Sequence, residues 1–74
     1  MNAIQRKFIT DKNISYHNFG TIKHGRKIVS DFYEIRCKPE TLTYIQENYP
    51  KCVVSVKAYL YAPEIKNIIV EFKR

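Results

Sequence analysis

Residues 26–37 read "RKIVSDFYEIRC", and this stretch decides the fold that the sequence predicts. It is dense in β-branched and aromatic side chains, which alternate as they do along a β-strand. One face of that strand carries Tyr33, Ile35 and Cys37, and the other carries Ser30, Phe32, Glu34 and Arg36. Because the first set is apolar and the second is mixed, we expect one face in a core and the other outside it.

The segment before this strand predicts its hairpin partner. Residues 23–27 read "KHGRK", with a glycine among cations, and they separate Tyr16 to Lys23 from the returning strand at Arg26 to Cys37. A two-residue type I′ turn needs positive φ at both central positions, which glycine accepts freely and histidine more readily than most residues. We therefore expect a long hairpin from Ile14 to Cys37, with its turn at His24-Gly25.

The segment after the strand predicts the only convincing helix. "KPETLTYIQENYP" (38–50) places Pro39 at a first helical position and Pro50 where the helix ends. Leu42, Ile45 and Tyr49 form one apolar stripe at spacings of three and four residues. A helix of about three turns is not stable alone in water, so the stripe should pack on the sheet.

Two further strands are expected towards the C-terminus. In "CVVSVKAYLY" (52–61), the alternation predicts an inward set and an outward set. The inward set is Cys52, Val54, Val56, Ala58 and Leu60, and the outward set is Ser55, Lys57, Tyr59 and Tyr61. "APE" (62–64) predicts a turn, and "IKNIIVEFKR" (65–74) predicts a last strand with Ile68, Val70 and Phe72 inward.

The N-terminal segment "AIQRKFIT" (3–10) alternates loosely, with Ile4 and Phe8 on one side and Gln5 and Lys7 on the other. We predict a short strand there. The expected order is therefore β-ββ-α-ββ in a single domain, residues 1–74. The predicted class is α+β, with four to five antiparallel or mixed strands in a small sheet and one helix packed on one face.

Length and cysteine content limit the class of protein. A chain of 74 residues builds only a thin core. The N-terminus lacks the apolar stretch of a signal peptide, and no run approaches the roughly 20 apolar residues of a membrane span. We expect a cytoplasmic protein with no membrane contact, in which the two cysteines stay reduced.

Neither a metal site nor a cofactor is predicted. The four candidate zinc ligands lack the closely spaced pairs that structural zinc sites use. They are His17, His24, Cys37 and Cys52. Both cysteines are expected to act as small core residues facing the helix.

Charge is the strongest global feature of the sequence. The chain contains 13 Lys and Arg residues and 7 Asp and Glu residues, which gives a net charge of +6. Such an excess favours contact with nucleic acid. The chain is also rich in residues with AT-rich codons, which is typical of an AT-rich bacterium or a bacteriophage, and genome composition therefore accounts for part of the lysine excess.

Two stretches are candidate contact surfaces. One helix covers only one side of a sheet, and the uncovered side should carry aromatic and cationic side chains, a pattern that holds single-stranded nucleic acid. Those side chains are Phe32, Arg36, Lys57, Tyr59 and Tyr61. The basic hairpin tip, with Lys23, His24, Arg26 and Lys27, is placed to reach phosphates. The alternatives are a protein contact or a homodimer interface on the sheet face, and an ordinary solvated turn at the tip.

These features predict a small basic binding protein without enzymatic activity, whose partner is RNA, single-stranded DNA or a nucleoprotein complex. The alternative is an inhibitor or regulator that binds a host or defence protein through the sheet face or an edge strand. A minor alternative is a small endoribonuclease toxin, because such enzymes use a few acid-base side chains on a sheet. The candidates for that role are His17, His24, Tyr33, Glu34 and Arg36.

Overall fold

The computed structural model describes residues 2–74, which form two helices and four strands. The elements are α1 (Ala3–Ile9), β1 (Asn18–His24), β2 (Lys27–Cys37), α2 (Pro39–Asn48), β3 (Val53–Tyr59) and β4 (Ala62–Lys73). All strand pairs are antiparallel, and the strands lie in the order β1-β2-β4-β3. The predicted α+β class and the ββ-α-ββ succession are confirmed.

The strand predicted over residues 3–10 is wrong, because this segment is helix α1. The Asn2 side chain caps the helix by accepting a hydrogen bond from the backbone N–H of Gln5 at 2.7 Å. Gln5 and Phe8, three residues apart, are the buried pair of α1, whereas Ile4 is exposed. The segment was misassigned because the i, i+4 spacing of Ile4 and Phe8 fits a helix as well as an alternating strand.

The hairpin is confirmed, but its turn lies one residue later than predicted. His24 pairs with Lys27, so Gly25 and Arg26 are the central residues. Only Gly25 has a positive φ, at 67°. This pattern matches a type II′ turn, which needs glycine at the first central position only. The shift follows because histidine then avoids the left-handed region altogether.

The core lies on one face of the sheet, where both helices pack. Ile35 and Ile68 are paired across β2 and β4 and are fully buried with Ile45 of α2. Phe8 of α1 contacts the rings of Tyr33 and Phe72 on the same face, at centroid distances of 5.1 and 5.2 Å. The predicted inward faces of β2, α2 and β4 are therefore confirmed.

The predicted burial of β3 is wrong. Val56 and Val54 are 43% and 55% exposed, and Ala58 is also exposed. Val56 and Ala58 are uncovered because β3 is an edge strand and α2 packs against β2 and β4. Val54 lies at a bulge between Val53 and Ser55, and Val53 packs against the core in its place. Val56 still faces the helix side, where it pairs with Ile68, but no helix covers it.

The turn between the last two strands also differs from the prediction. Residues 60 and 61 form this turn, whereas 62–64 belong to β4 at an irregularity in its pairing with β3. Leu60, predicted to point inward, is 81% exposed at the tip. Tyr61 lies beside it in the turn instead of on the face of the strand. Within residues 2–74, no helix is long and apolar enough to cross a membrane.

Candidate nucleic-acid interface

The sheet face opposite the helices, which we call the open face, holds the predicted contact residues Phe32, Arg36 and Lys57. The register assigns to it Ser30, Phe32, Glu34 and Arg36 of β2, Ser55 and Lys57 of β3, and Asn67, Ile69, Glu71 and Lys73 of β4. Of these, only Ser30 is buried. The expectation that one side of the sheet stays uncovered is confirmed.

Two cations and two tyrosines meet at one end of the open face. The Arg36 guanidinium lies over the Tyr59 ring, 4.5 Å from its centroid. Tyr61 contacts Tyr59 edge to face, with 5.6 Å between centroids. Lys57, two residues before Tyr59, lies on the same face and flanks Asn67 on the side opposite Arg36. We call Arg36, Lys57, Tyr59 and Tyr61 the tyrosine cluster.

The cations of the tyrosine cluster are accessible. Arg36 and Lys57 are exposed, and Tyr61 is 82% exposed. Within residues 2–74, the one ion pair between a Lys or Arg side chain and a carboxylate is Arg74 with Asp31, on the helix side. The positive charge of the cluster is therefore available to an anionic partner.

The acid nearest to the cluster on β2 is Glu34, and it is engaged by other groups. Asn67 Nδ2 donates to Glu34 Oε2 at 2.9 Å, and His17 Nε2 lies 3.3 Å from Oε1. The hydrogen bond from Asn67, with smaller contributions from Asn18 and His17, holds the pKa of Glu34 below its usual value despite the opposing effect of burial. The carboxylate is thus committed to partners other than Arg36.

Asn67 is an open-face residue that the sequence analysis missed. It lies between Arg36 and Lys57 in one cross-strand row. Its Nδ2 is used by Glu34, while its Oδ1 is covered and has no hydrogen-bond partner within residues 2–74. The available signal was its outward position on β4, next to the inward Ile68.

Phe32 lies on the open face, but its ring is engaged in packing. A Cβ placed on Gly20 would meet Cζ of Phe32 at 2.5 Å, so the ring lies across the glycine on the neighbouring strand. Such an aromatic ring shields the backbone of a strand glycine. The Phe32 ring therefore packs on the neighbouring strand, and its role in stacking on a base stays a prediction.

The hairpin tip is separate from the tyrosine cluster. Lys23, His24, Arg26 and Lys27 are all exposed at the opposite end of the sheet. Arg36 lies nine positions after Lys27 along β2, which corresponds to about 30 Å at the rise of a strand. The nine predicted contact residues therefore do not form one continuous site.

The five candidates for an acid-base site are not brought together either. His17 and Glu34 are in contact, and Arg36 shares the open face with Glu34. Tyr33, however, is buried on the helix side, and His24 lies at the hairpin tip. Of the proposed set, only His17 and Glu34 are therefore in direct contact.

The cysteines pack as predicted. Cys37 and Cys52 are free thiols that lie partly buried against the core, and burial raises the pKa of both. Within residues 2–74, no three His, Cys, Asp or Glu side chains are grouped closely enough to hold a metal ion.

Comparison with protein-family models, with curated proteins and with solved structures finds no match to this chain.

Proposed function

We propose that the protein binds single-stranded nucleic acid, RNA or DNA, without catalysis, and that the tyrosine cluster on the open face is the primary contact. The observation that supports this most is the stack of Arg36 over Tyr59 at 4.5 Å, with exposed Tyr61 beside it. Rings and cations interleaved on an uncovered sheet suit unstacked bases and phosphates together.

Each member of the cluster has a distinct task in this proposal. Tyr61 offers an exposed ring, and the outer face of the Arg36 guanidinium offers a flat cation, and both surfaces stack on bases. Lys57 meets a phosphate. Because stacking does not read base edges, we expect little sequence preference.

The proposal places the protein in the cytoplasm. Reducing conditions there keep thiols free, which is consistent with the two partly buried cysteines, Cys37 and Cys52. Nucleic acid is also accessible in this compartment.

The test is fluorescence anisotropy of a labelled mixed-sequence single strand, titrated with protein over a series of salt concentrations. Replacing both Arg36 and Lys57 by alanine removes the stacked cation and the phosphate-facing cation, so the slope of log K against log[salt] should fall in magnitude by about 0.7 to 1.4. Replacing Tyr61 by alanine should weaken binding by about fivefold or more, the loss of one stacked base.

The matched control replaces Arg6 and Lys12, two exposed cations outside the open face, by alanine. This control variant should change the slope of log K against log[salt] much less than the double alanine variant of Arg36 and Lys57 does. Equal effects of the two double variants would assign binding to net charge alone, and undetectable binding of the parent protein at about 50 mM salt would refute the proposal.

A further inference from the structure

The helix layer leaves part of its own side of the sheet uncovered, along edge strand β3. Val54 and Val56 are 55% and 43% exposed there, and Ile4 of α1 is 54% exposed. Ile4, Val54 and Cys52 line one cleft together with Phe72 of the core. An apolar strip thus lies between α1 and β3, and Glu71 and Lys73 of the open face line the same cleft.

This strip contains two neighbouring clefts. The first has a volume of about 270 Å³ and runs past Val54 and Phe72. The second has a volume of about 180 Å³, and Tyr49 and Pro50 are among the residues that line it. Ile4, Lys51 and Cys52 line both clefts. We call the pair the α1–β3 groove.

The size of the clefts indicates the kind of occupant. Pockets for drug-sized molecules and cofactors measure about 300–1,000 Å³. Each cleft of the groove is smaller and suits a single apolar side chain. Two such clefts in a row suit two side chains of one polypeptide segment.

The charge around the groove indicates the composition of that segment. Lys51 lines both clefts, Lys73 lines the first and Lys7 lines the second, whereas Glu71 is the one acid among the lining residues. Lys7 is held over the Tyr49 ring, with its Nζ 5.4 Å from the centroid. Three ammonium groups around an apolar floor complement carboxylates that flank apolar side chains.

We infer that the α1–β3 groove binds an acidic amphipathic segment of a protein partner. Two apolar side chains of the segment enter the clefts, and its carboxylates face Lys7, Lys51 and Lys73. This site does not depend on the nucleic-acid proposal, because it shares no residue with the tyrosine cluster or the hairpin tip. If both surfaces function, the protein joins a nucleic acid to an acidic protein.

The test is an NMR titration of the ¹⁵N-labelled protein with the synthetic peptide acetyl-Glu-Leu-Glu-Glu-Phe-Glu-amide. We expect saturable shifts of the backbone amides of Ile4, Lys7, Lys51 and Cys52, with a Kd of about 1 mM or tighter. The same peptide with lysine in place of glutamate should leave these amides unchanged. A short single-stranded oligonucleotide should not displace the acidic peptide.

Paired variants on α1 control for folding. Ile4→Glu places an acid in the groove and should weaken peptide binding at least tenfold, whereas Ile9→Glu changes an exposed isoleucine on the same helix outside the groove and should have no effect. The inference is overturned if the amides do not shift, if the lysine peptide shifts them equally, if Ile4→Glu binds like the parent, or if the oligonucleotide competes.

Discussion

At the scale of single residues, Asp31 shows how a carboxylate is kept on the helix side of the sheet. It is 4% exposed and accepts hydrogen bonds from Gln5 Nε2 at 2.9 Å and from Arg74 Nη2 at 3.0 Å and Nε at 3.3 Å. The bond from Gln5, followed by the bonds and charge of Arg74, holds the pKa of Asp31 below its ordinary value, although burial opposes this. Asp31 therefore links α1, β2 and the C-terminal residue.

This arrangement predicts a dependence of stability on pH. Because the folded pKa lies below the unfolded value of 3.8, ionised Asp31 stabilises the fold above that pH, and the contribution is lost as pH falls through the folded pKa. We expect Asp31→Asn to lower the free energy of unfolding by about 2 kcal/mol at neutral pH. The deficit should shrink between about pH 5 and pH 2.

Urea denaturation at several pH values measures this difference. Glu47→Gln, which removes an exposed carboxylate of α2, is the control and should leave the stability and its pH dependence unchanged. A deficit of Asp31→Asn that stays constant down to pH 2 would show that ionisation of Asp31 does not stabilise the fold.

Some residue contacts were beyond prediction from the sequence. Asp11 accepts hydrogen bonds from the hydroxyls of Tyr44 and Tyr49, at 2.7 and 3.0 Å, and so fastens the loop after α1 to α2. Burial raises the pKa of Asp11, but these bonds and those from Asn13 outweigh it and give a net lowering. Asp11 and Tyr49 are 38 residues apart, and no periodic pattern connects residues at that separation.

At the scale of elements, local patterns predicted α2 and the strands β1, β2 and β4 well, because each has a clear period and a clear end. Helix α1 was not predicted, although the sequence contains the signal of its N-terminal cap. Asn2 followed by Gln5 has the spacing of a capping box, which marks the start of a helix. That signal was present in the sequence and outweighs the loose alternation of Ile4 and Phe8.

The β1–β2 turn supports a test at this scale. Gly25 has φ of 67°, and a Cβ there would meet no atom within 4 Å, so backbone strain is the only cost of a side chain. We expect Gly25→Ala to destabilise the protein by about 1 to 2 kcal/mol. Arg26→Ala, at the second central position, where φ is not positive, should be neutral.

The urea concentration at the midpoint of unfolding, measured for each variant, gives its change in stability. A neutral Gly25→Ala, or an Arg26→Ala that costs as much, would contradict the assigned turn, in which Gly25 alone has a positive φ.

At the scale of the whole molecule, alternation along β3 assigned Val56 and Lys57 to the correct faces, but it could not show the bulge at Val54 or which side chains are covered. Burial depends on where a helix lies, and α2 packs over β2 and β4 because the strand order places β3 at an edge. The hairpin tip and the tyrosine cluster lie at opposite ends of the sheet because Lys27 begins β2 and Arg36 lies near its other end. Composition predicted the cations and rings of both surfaces, but not the distance between the two surfaces.

The separation sets a length requirement for any ligand that touches both ends. A stacked strand rises about 3.4 Å per nucleotide and an unstacked strand rises more, so about nine nucleotides at most are needed to span the roughly 30 Å between Lys27 and Arg36. A strand of about four nucleotides reaches only one end.

The measurement that tests the central claim most directly is the backbone amide footprint of a single-stranded oligonucleotide in a ¹⁵N-labelled sample. With about four nucleotides, we predict shifts at Arg36, Lys57, Tyr59 and Tyr61, and with about twelve we predict further shifts at the hairpin tip. Shifts confined to α1 and α2, or no shifts on the open face at either length, would contradict the account.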